Sequence, residues 1–313
     1  MRLVFMGTPA LVLPVLDGLA ADPDLQVVGV YTQPDRPRGR GRTPEMPPVK
    51  SHALSLGLPV YQPASLRPAR AQAELAALQP QVIVVAAYGL FLPPPVLNTP
   101  AHGCLNLHPS LLPRYRGPSP VVTAILEGDT VTGVTLMLLD QGMDTGPIIA
   151  QRQHPIGPED TAESLTLALF QLGAALLLET LPGWVAGRVT AHAQDAAQAT
   201  VTRKVERADG QARWELSAAG LERRRRAYTP WPGLFTHWQG QVLKLLDVAA
   251  LPPQASPGAQ PGLVVPLALP GMPAGIGTAE GMLGLKTLQL EGRRPVSAAE
   301  FLRGYPQFLG SRL

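Results

Sequence analysis

The chain has 313 residues, more than the roughly 250 that one hydrophobic core usually serves, so two domains are expected. Hydrophobic residues at 45% against charged residues at 16% exclude a disordered chain. The formal net charge is only +3, and the single cysteine, Cys104, excludes an intramolecular disulfide and a cysteine-based zinc site.

A cytoplasmic, metal-independent, monomeric protein without membrane contact is the expectation. The apolar start MRLVFMGTP lacks a spacer and cleavage site, and no unbroken apolar run reaches the ~20 residues of a membrane span. Residues 3–6 read as a strand stopped by Gly7, Thr8 and Pro9, and residues 11–21 as an amphipathic helix. A strand follows at 27–31, helices at 49–57 and 69–78, and a strand at 82–87 apolar enough to be covered on both faces. Further strands are expected at 103–108, 134–139 and 148–153, with a helix near 118–126. Asp160 followed by Glu163 marks the start of a helix reaching about residue 184. Alternating strands and helices imply a Rossmann-like, mostly parallel α/β domain. The turn Gly7-Thr8-Pro9 is not G-x-G-x-x-G, and Pro9 lacks an N–H where a pyrophosphate needs donors, which argues against a dinucleotide.

Residues 189–202 lack periodicity and read as a linker between a domain at 1–188 and another at 203–313. The second has short strand-like runs at 242–248 and 283–290 with Pro/Gly-dense turns at 251–277, the pattern of a small β-barrel. Basic residues cluster at Arg36, Arg38, Arg40 and Arg42, and again at Lys204, Arg207, Arg213 and Arg223 to Arg226. Two such patches favour a polyanionic partner. The aromatic residues Tyr228, Trp231, Phe235 and Trp238 are expected to pack inside the second domain rather than stack bases.

The segment GCLNLHPSLLPRYRG carries the chemistry. Alternation along a strand puts Cys104, Asn106 and His108 on one face, near the carboxyl end where open α/β sheets bind ligands. The loop DQGMDTG then supplies Asp140 and Asp144. An amide, an imidazole and a carboxylate suit acyl transfer between two nitrogens. Asn106 can donate to a developing oxyanion, His108 can hold that oxyanion or move a proton, and Asp144 favours the charged imidazole. Cys104, inside a buried strand, is expected to be inert.

LNLHPSLLPRYRG together with TGVTLMLLDQGMDTGPI resembles the folate-dependent formyltransferase family. The resemblance implies that Asn106, His108 and Asp144 are the catalytic set. It also implies that Ser110, Leu111, Leu112 and Pro113 contact the folate, with 10-formyltetrahydrofolate as co-substrate. FMGTPALVLPVLDGL, YTQPDRPRGRGRTPEMPPVK, VVAAYGLFLPPPVL and WELSAAGLERRRRAYTPWPGLF are similar to the branch that acts on initiator methionyl-tRNA. This implies an OB-like second domain and tRNA contacts at Arg36, Arg40, Arg42 and Arg223, Arg224, Arg225 and Arg226, with Arg40 the foremost. The loop RTPEMPPVK is less basic, and Arg223 to Arg226 more basic, than is usual in that branch. Two rivals remain: formyl transfer to a small amine, and a catalytically idle tRNA-binding protein.

Overall fold

The run VIVVA has no polar face to offer water, so it must lie inside a sheet covered on both sides. The computed structural model describes residues 1–38, 43–255 and 260–313, which fall into two units. The first comprises Met1–Pro120, Thr130–Ile156 and Ser164–Arg203, and the second Val121–Asp129, Gly157–Glu163 and Lys204–Leu313.

In chain order the first unit contains β1 (Arg2–Gly7), α1 (Leu13–Ala21), β2 (Gln26–Tyr31) and the hairpin β3 (Arg36–Arg38) and β4 (Thr43–Glu45). There follow α2 (Pro48–Ser55), β5 (Val60–Tyr61), α3 (Ala69–Ala77), β6 (Val82–Ala86), α4 (Pro94–Leu97) and β7 (Cys104–His108). Helix α5 (Pro120–Glu127) lies almost wholly in the second unit. The chain then returns to the first unit for β8 (Val131–Leu138), β9 (Ile148–Pro155) and most of α6 (Ala162–Val185).

The seven-stranded sheet has the order β5-β2-β1-β6-β7-β8-β9. It is parallel from β5 through β7 and antiparallel at β8 and β9. Residues 139–147 join β8 to β9, which is too short for the dozen or more residues of a parallel crossover. Period-2 alternation sorts the strands between two cores. Leu3, Phe5, Leu105 and Leu107 join one, and Val4, Met6 and Cys104 the other. Helix α6 is long and apolar enough to cross a bilayer, yet it buries Phe170, Ala174, Leu177 and Leu181 in the first of those cores.

The second unit adds α7 (Ala218–Ala227), β10 (Phe235–Trp238), β11 (Gln241–Leu251), β12 (Val264–Leu269), β13 (Met272–Gly277), β14 (Met282–Leu290), β15 (Val296–Ser297) and α8 (Ala298–Gly304). Its antiparallel sheet runs β10-β11-β14-β13-β12, with β15 on β14. Among the described residues the end strands do not pair with each other, so the expected barrel is open. Each edge is covered by other chain instead: the Ala212 N–H donates to the Phe235 carbonyl, and the Val264 N–H to the Ser311 carbonyl.

Trp238 is buried against Phe301, Tyr305 and Phe308, with ring centroids 5.3 to 5.8 Å apart, and its indole N–H donates to Ser311 Oγ at 3.0 Å. Tyr228 is buried as well, whereas Trp231 is exposed. Trp238→Ala should destabilise the protein by about 3–5 kcal/mol in denaturant titration. A loss below about 1 kcal/mol would show that this ring is not a core element.

Candidate active site

β7 is pinned on both sides, Asn106 lying opposite Val85 of β6 and Met137 of β8. A one-residue slip would turn Asn106 and His108 to the opposite face and is therefore excluded by the burial of Leu105 and Leu107. Asn106 is half-buried, and its side-chain amide has no hydrogen-bond partner among the described residues. Its donors are available to a bound molecule.

His108 is buried. Its Nε2 lies 2.9 Å from the Tyr115 carbonyl, which can only accept, so Nε2 carries a proton. Nδ1 faces Asp144 Oδ2 at 3.6 Å, beyond a direct hydrogen bond but within ion-pair range. Nδ1 is therefore the ring nitrogen placed to exchange a proton.

The structure separates the two carboxylates of the DQGMDTG loop. Asp140 accepts from the Gly142 N–H at 2.9 Å and from the Thr145 hydroxyl at 2.8 and 2.9 Å, which folds the loop. Asp144 Oδ2 accepts from the Gly117 N–H at 2.8 Å and faces the imidazole. A side chain at Gly146 would put a Cβ 1.9 Å from the Leu138 carbonyl oxygen, so this loop needs glycine where it closes. Asp140 and Gln141 also line a cavity of about 640 Å³ with Leu97, His102, Leu139 and Trp184.

Ser110 to Pro113 form a turn held from within. Ser110 Oγ donates to the Arg114 carbonyl, Leu112 N–H donates to Thr135 Oγ1, and Thr135 Oγ1 donates to the Ser110 carbonyl. Gln151 Nε2 donates to the Leu112 carbonyl at 2.8 Å. Ser110 and Leu112 are buried, leaving Leu111 and Pro113 half-exposed. Thr135 lies inside TGVTLMLLDQGMDTGPI without being singled out there, and Gln151 lies outside every motif, since a strand threonine and glutamine are common on any sheet face.

The segment expected to be a linker is instead bonded to the first unit. Thr200 accepts from the Tyr115 N–H at 2.8 Å through Oγ1 and from the Arg116 N–H at 2.9 Å through its carbonyl. Thr202 N–H donates to the Arg116 carbonyl at 2.7 Å. Tyr115, whose carbonyl orients His108, is thus fixed by a residue 85 positions away.

The expected basic sites fare unequally. Arg40 and Arg42 lie outside the described residues. Arg36 is exposed, and its Nη2 donates to Gln33 at 2.6 Å. At the root of that hairpin Asp35 accepts from Lys50 at 2.7 and 2.9 Å and from Gln62 at 2.7 Å; Gln62 and then Lys50 hold its carboxyl below the usual range. Four consecutive residues wind once around a helix, so the arginines of α7 cannot share a face. Arg226 is buried, bonded to Glu222 and to the Asp160 carbonyl, which corrects the expectation of a phosphate contact there. Arg225 also pairs with Glu222 at 3.0 Å. Arg224 donates to the Asp209 carbonyl and lies over the Tyr228 ring. Arg223 lies beside Gly128.

Cys104 is buried, and burial pushes its thiol up to about 12, so the nucleophilic thiolate is absent near neutral pH. Cys104→Ala should keep most turnover, and an alkylating reagent should label the native thiol only as slowly as the protein opens. Rapid labelling with matching loss of activity would reinstate a thiol mechanism.

A family model described as "Formyl transferase" matches residues 1–181, and one described as "Formyl transferase, C-terminal domain" matches 204–306. A methionyl-tRNA formyltransferase of Roseiflexus castenholzii is 48% identical over 313 residues, all of this chain and 99% of the relative. That of Dehalococcoides mccartyi is also 48% identical, over all of this chain and 98% of the relative. Among solved structures, an N-formyltransferase of Helicobacter canadensis in complex with folinic acid and dTDP-3-aminofucose superimposes with TM-score 0.65 at 17% identity, covering 91% of this chain and 99% of that one. HypX of Aquifex aeolicus in complex with tetrahydrofolic acid gives 0.64 at 18%, covering 99% of this chain, which spans 48% of that protein. At these identities the two structures speak for the fold alone.

Proposed function

The chain belongs to the formyl transferase family, and we propose that it moves the formyl group of 10-formyltetrahydrofolate to the free amino group of methionine on initiator methionyl-tRNA, for translation initiation in the cytoplasm. The observation that carries this reading is the juxtaposition of an available Asn106 amide with the His108 and Asp144 pair at the carboxyl end of β7. Relatives 43% to 48% identical over nearly the whole chain bear the methionyl-tRNA name, which favours this substrate over a small amine.

In the reaction the methionine nitrogen attacks the formyl carbon, forming a C–N bond and an oxyanion. The C–N bond to the carrier then breaks, so the attacking nitrogen loses a proton and the carrier nitrogen gains one. Asn106 donates to the oxyanion, an interaction whose loss costs ~3 kcal/mol in comparable sites. His108 Nδ1 passes the proton, with the Tyr115 carbonyl fixing the ring and Asp144 stabilising its charged form. The carrier contacts the 110–113 turn through Leu111 and Pro113, while Ser110 and Leu112 support the turn.

Catalysis belongs to the first unit, including the segment 189–203 bonded to it, and RNA contact to the basic hairpin and residues 204–313. Within these, Arg36, Arg40 and Arg42 hold phosphates, and Arg223 to Arg225 contribute through the charge that the partners of Arg224 and Arg225 leave unscreened.

The deciding assay offers the purified protein 10-formyltetrahydrofolate with charged initiator tRNA, charged elongator tRNA or free methionine. Formyl incorporation confined to the charged initiator is expected, and incorporation into free methionine alone would sink the tRNA assignment. Asn106→Ala, His108→Ala and Asp144→Ala should each lower turnover at least ~100-fold in folded protein. Near-normal turnover by His108→Ala would refute the proton path. Replacing Arg36, Arg40 and Arg42 should weaken use of charged tRNA with folate affinity unchanged. The log–log salt slope should fall by about one unit for each phosphate no longer neutralised. Wild-type behaviour at every salt concentration would exclude the hairpin as an RNA-binding element.

A further inference from the structure

Gln194 belongs to neither of the loops that carry the reacting groups, yet its side-chain amide touches both. Nε2 donates to the Asp144 carbonyl at 2.9 Å and to the Gly146 carbonyl at 2.7 Å. Oε1 accepts from Arg116 Nε at 3.0 Å and Nη2 at 2.8 Å. All four hydrogen-bonding positions of the amide are occupied, two donors facing two carbonyls and one oxygen facing two guanidinium N–H groups. A flipped amide would set like against like on both sides, so its orientation is unambiguous.

These bonds close a ring. Arg116 is followed by Gly117, whose N–H holds Asp144 Oδ2 at 2.8 Å, and the Asp144 carbonyl leads back to Gln194. Asp144 has φ of +54°, a left-handed conformation that aspartate tolerates but does not prefer. In that conformation its carbonyl points to Gln194 while its carboxylate points to Gly117 and His108. We propose that Gln194 is a positioning residue for formyl transfer, holding Asp144 in the left-handed turn that aims its carboxylate at His108. The inference rests on Asp144 and His108 being the reacting pair.

The role requires donors more than bulk. Gln194→Glu retains the length and an oxygen for Arg116 but turns a carboxylate toward two carbonyls. Gln194→Ala removes both halves of the clamp. Gln198, which bonds within its own segment to Asp195, serves as a control from the same stretch.

The experiment measures formylation of charged initiator tRNA and folate affinity for Gln194→Ala, Gln194→Glu, Asp144→Ala and the Gln194→Ala/Asp144→Ala pair, with thermal unfolding of each. Both Gln194 variants should remain folded and lose about 10- to 100-fold in kcat, with KM for tRNA and folate affinity within about twofold of wild type. In the Asp144→Ala background the Gln194→Ala change should cost less than about twofold more, because the group it positions is gone. Gln198→Ala should match wild type. Normal kcat in Gln194→Glu, or a full multiplicative loss in the double variant, would overturn the proposal while leaving the Asp144 assignment intact. Normal turnover by Asp144→Ala would overturn that assignment and this inference with it.

Discussion

Burying an imidazole obliges the fold to answer both of its ring nitrogens, and the architecture around β7 follows from how it does so. Nε2 of His108 is answered by the Tyr115 carbonyl and Nδ1 by the Asp144 carboxylate. Neither partner is on the sheet. One lies on the turn after β7 and the other on the loop between β8 and β9, and both have left-handed backbone, with φ of +60° at Tyr115 and +54° at Asp144. Each such non-glycine residue costs on the order of 1–2 kcal/mol. The compensation is a set of hydrogen bonds from residues 194–202, each typically worth about 1 kcal/mol net. Chain that leaves the α/β domain in sequence thereby holds the residues that face His108.

A similar obligation governs the charges of α7. A guanidinium removed from water needs carboxylate or carbonyl partners, because an unpaired buried charge costs several kcal/mol. Glu222, one turn before Arg226, meets that need together with the Asp160 carbonyl. Residues 157–163, which include Asp160, group with the second unit although the sequence around them belongs to the α/β pattern. Basic composition therefore overstates the charge available to a polyanion in this helix, whereas Arg36 on the exposed hairpin keeps its surface.

How much can be read from the sequence differs by the kind of signal. Apolar runs such as VIVVA and the alternation in CLNLH make the sheet, its two cores and the facing of Asn106 and His108 legible, because burial acts residue by residue at a fixed period. The burial of Cys104 follows by the same logic. The hairpin at Arg36–Arg38 and Thr43–Glu45 is hidden by its prolines and glycines, and the antiparallel turn at β8 and β9 depends on a loop length that periodicity does not report. The run Arg223 to Arg226 resembles one patch because a linear string does not show helical phase. Gln194, Thr200 and Thr202 are hidden for a further reason: their partners lie 48 to 86 residues away, and an isolated glutamine or threonine in an Ala-rich stretch carries no period.

The two halves of the proposed reacting set are consequently held by different physics. Asn106 and His108 sit on a strand paired on both sides, so their backbone positions are determined by a ladder of hydrogen bonds and by leucines that cannot turn outward without losing burial. Such a position is insensitive to any one distant side chain. Asp144 has no ladder, and its place depends on Gly117, on Gln194 and on a loop folded by Asp140. A transfer that needs its acid–base group aligned to within about an ångström is therefore most vulnerable on the carboxylate side, where a single amide or glycine carries the alignment. The strand supplies a fixed frame, and the loop supplies the adjustable member that brings charge to the imidazole.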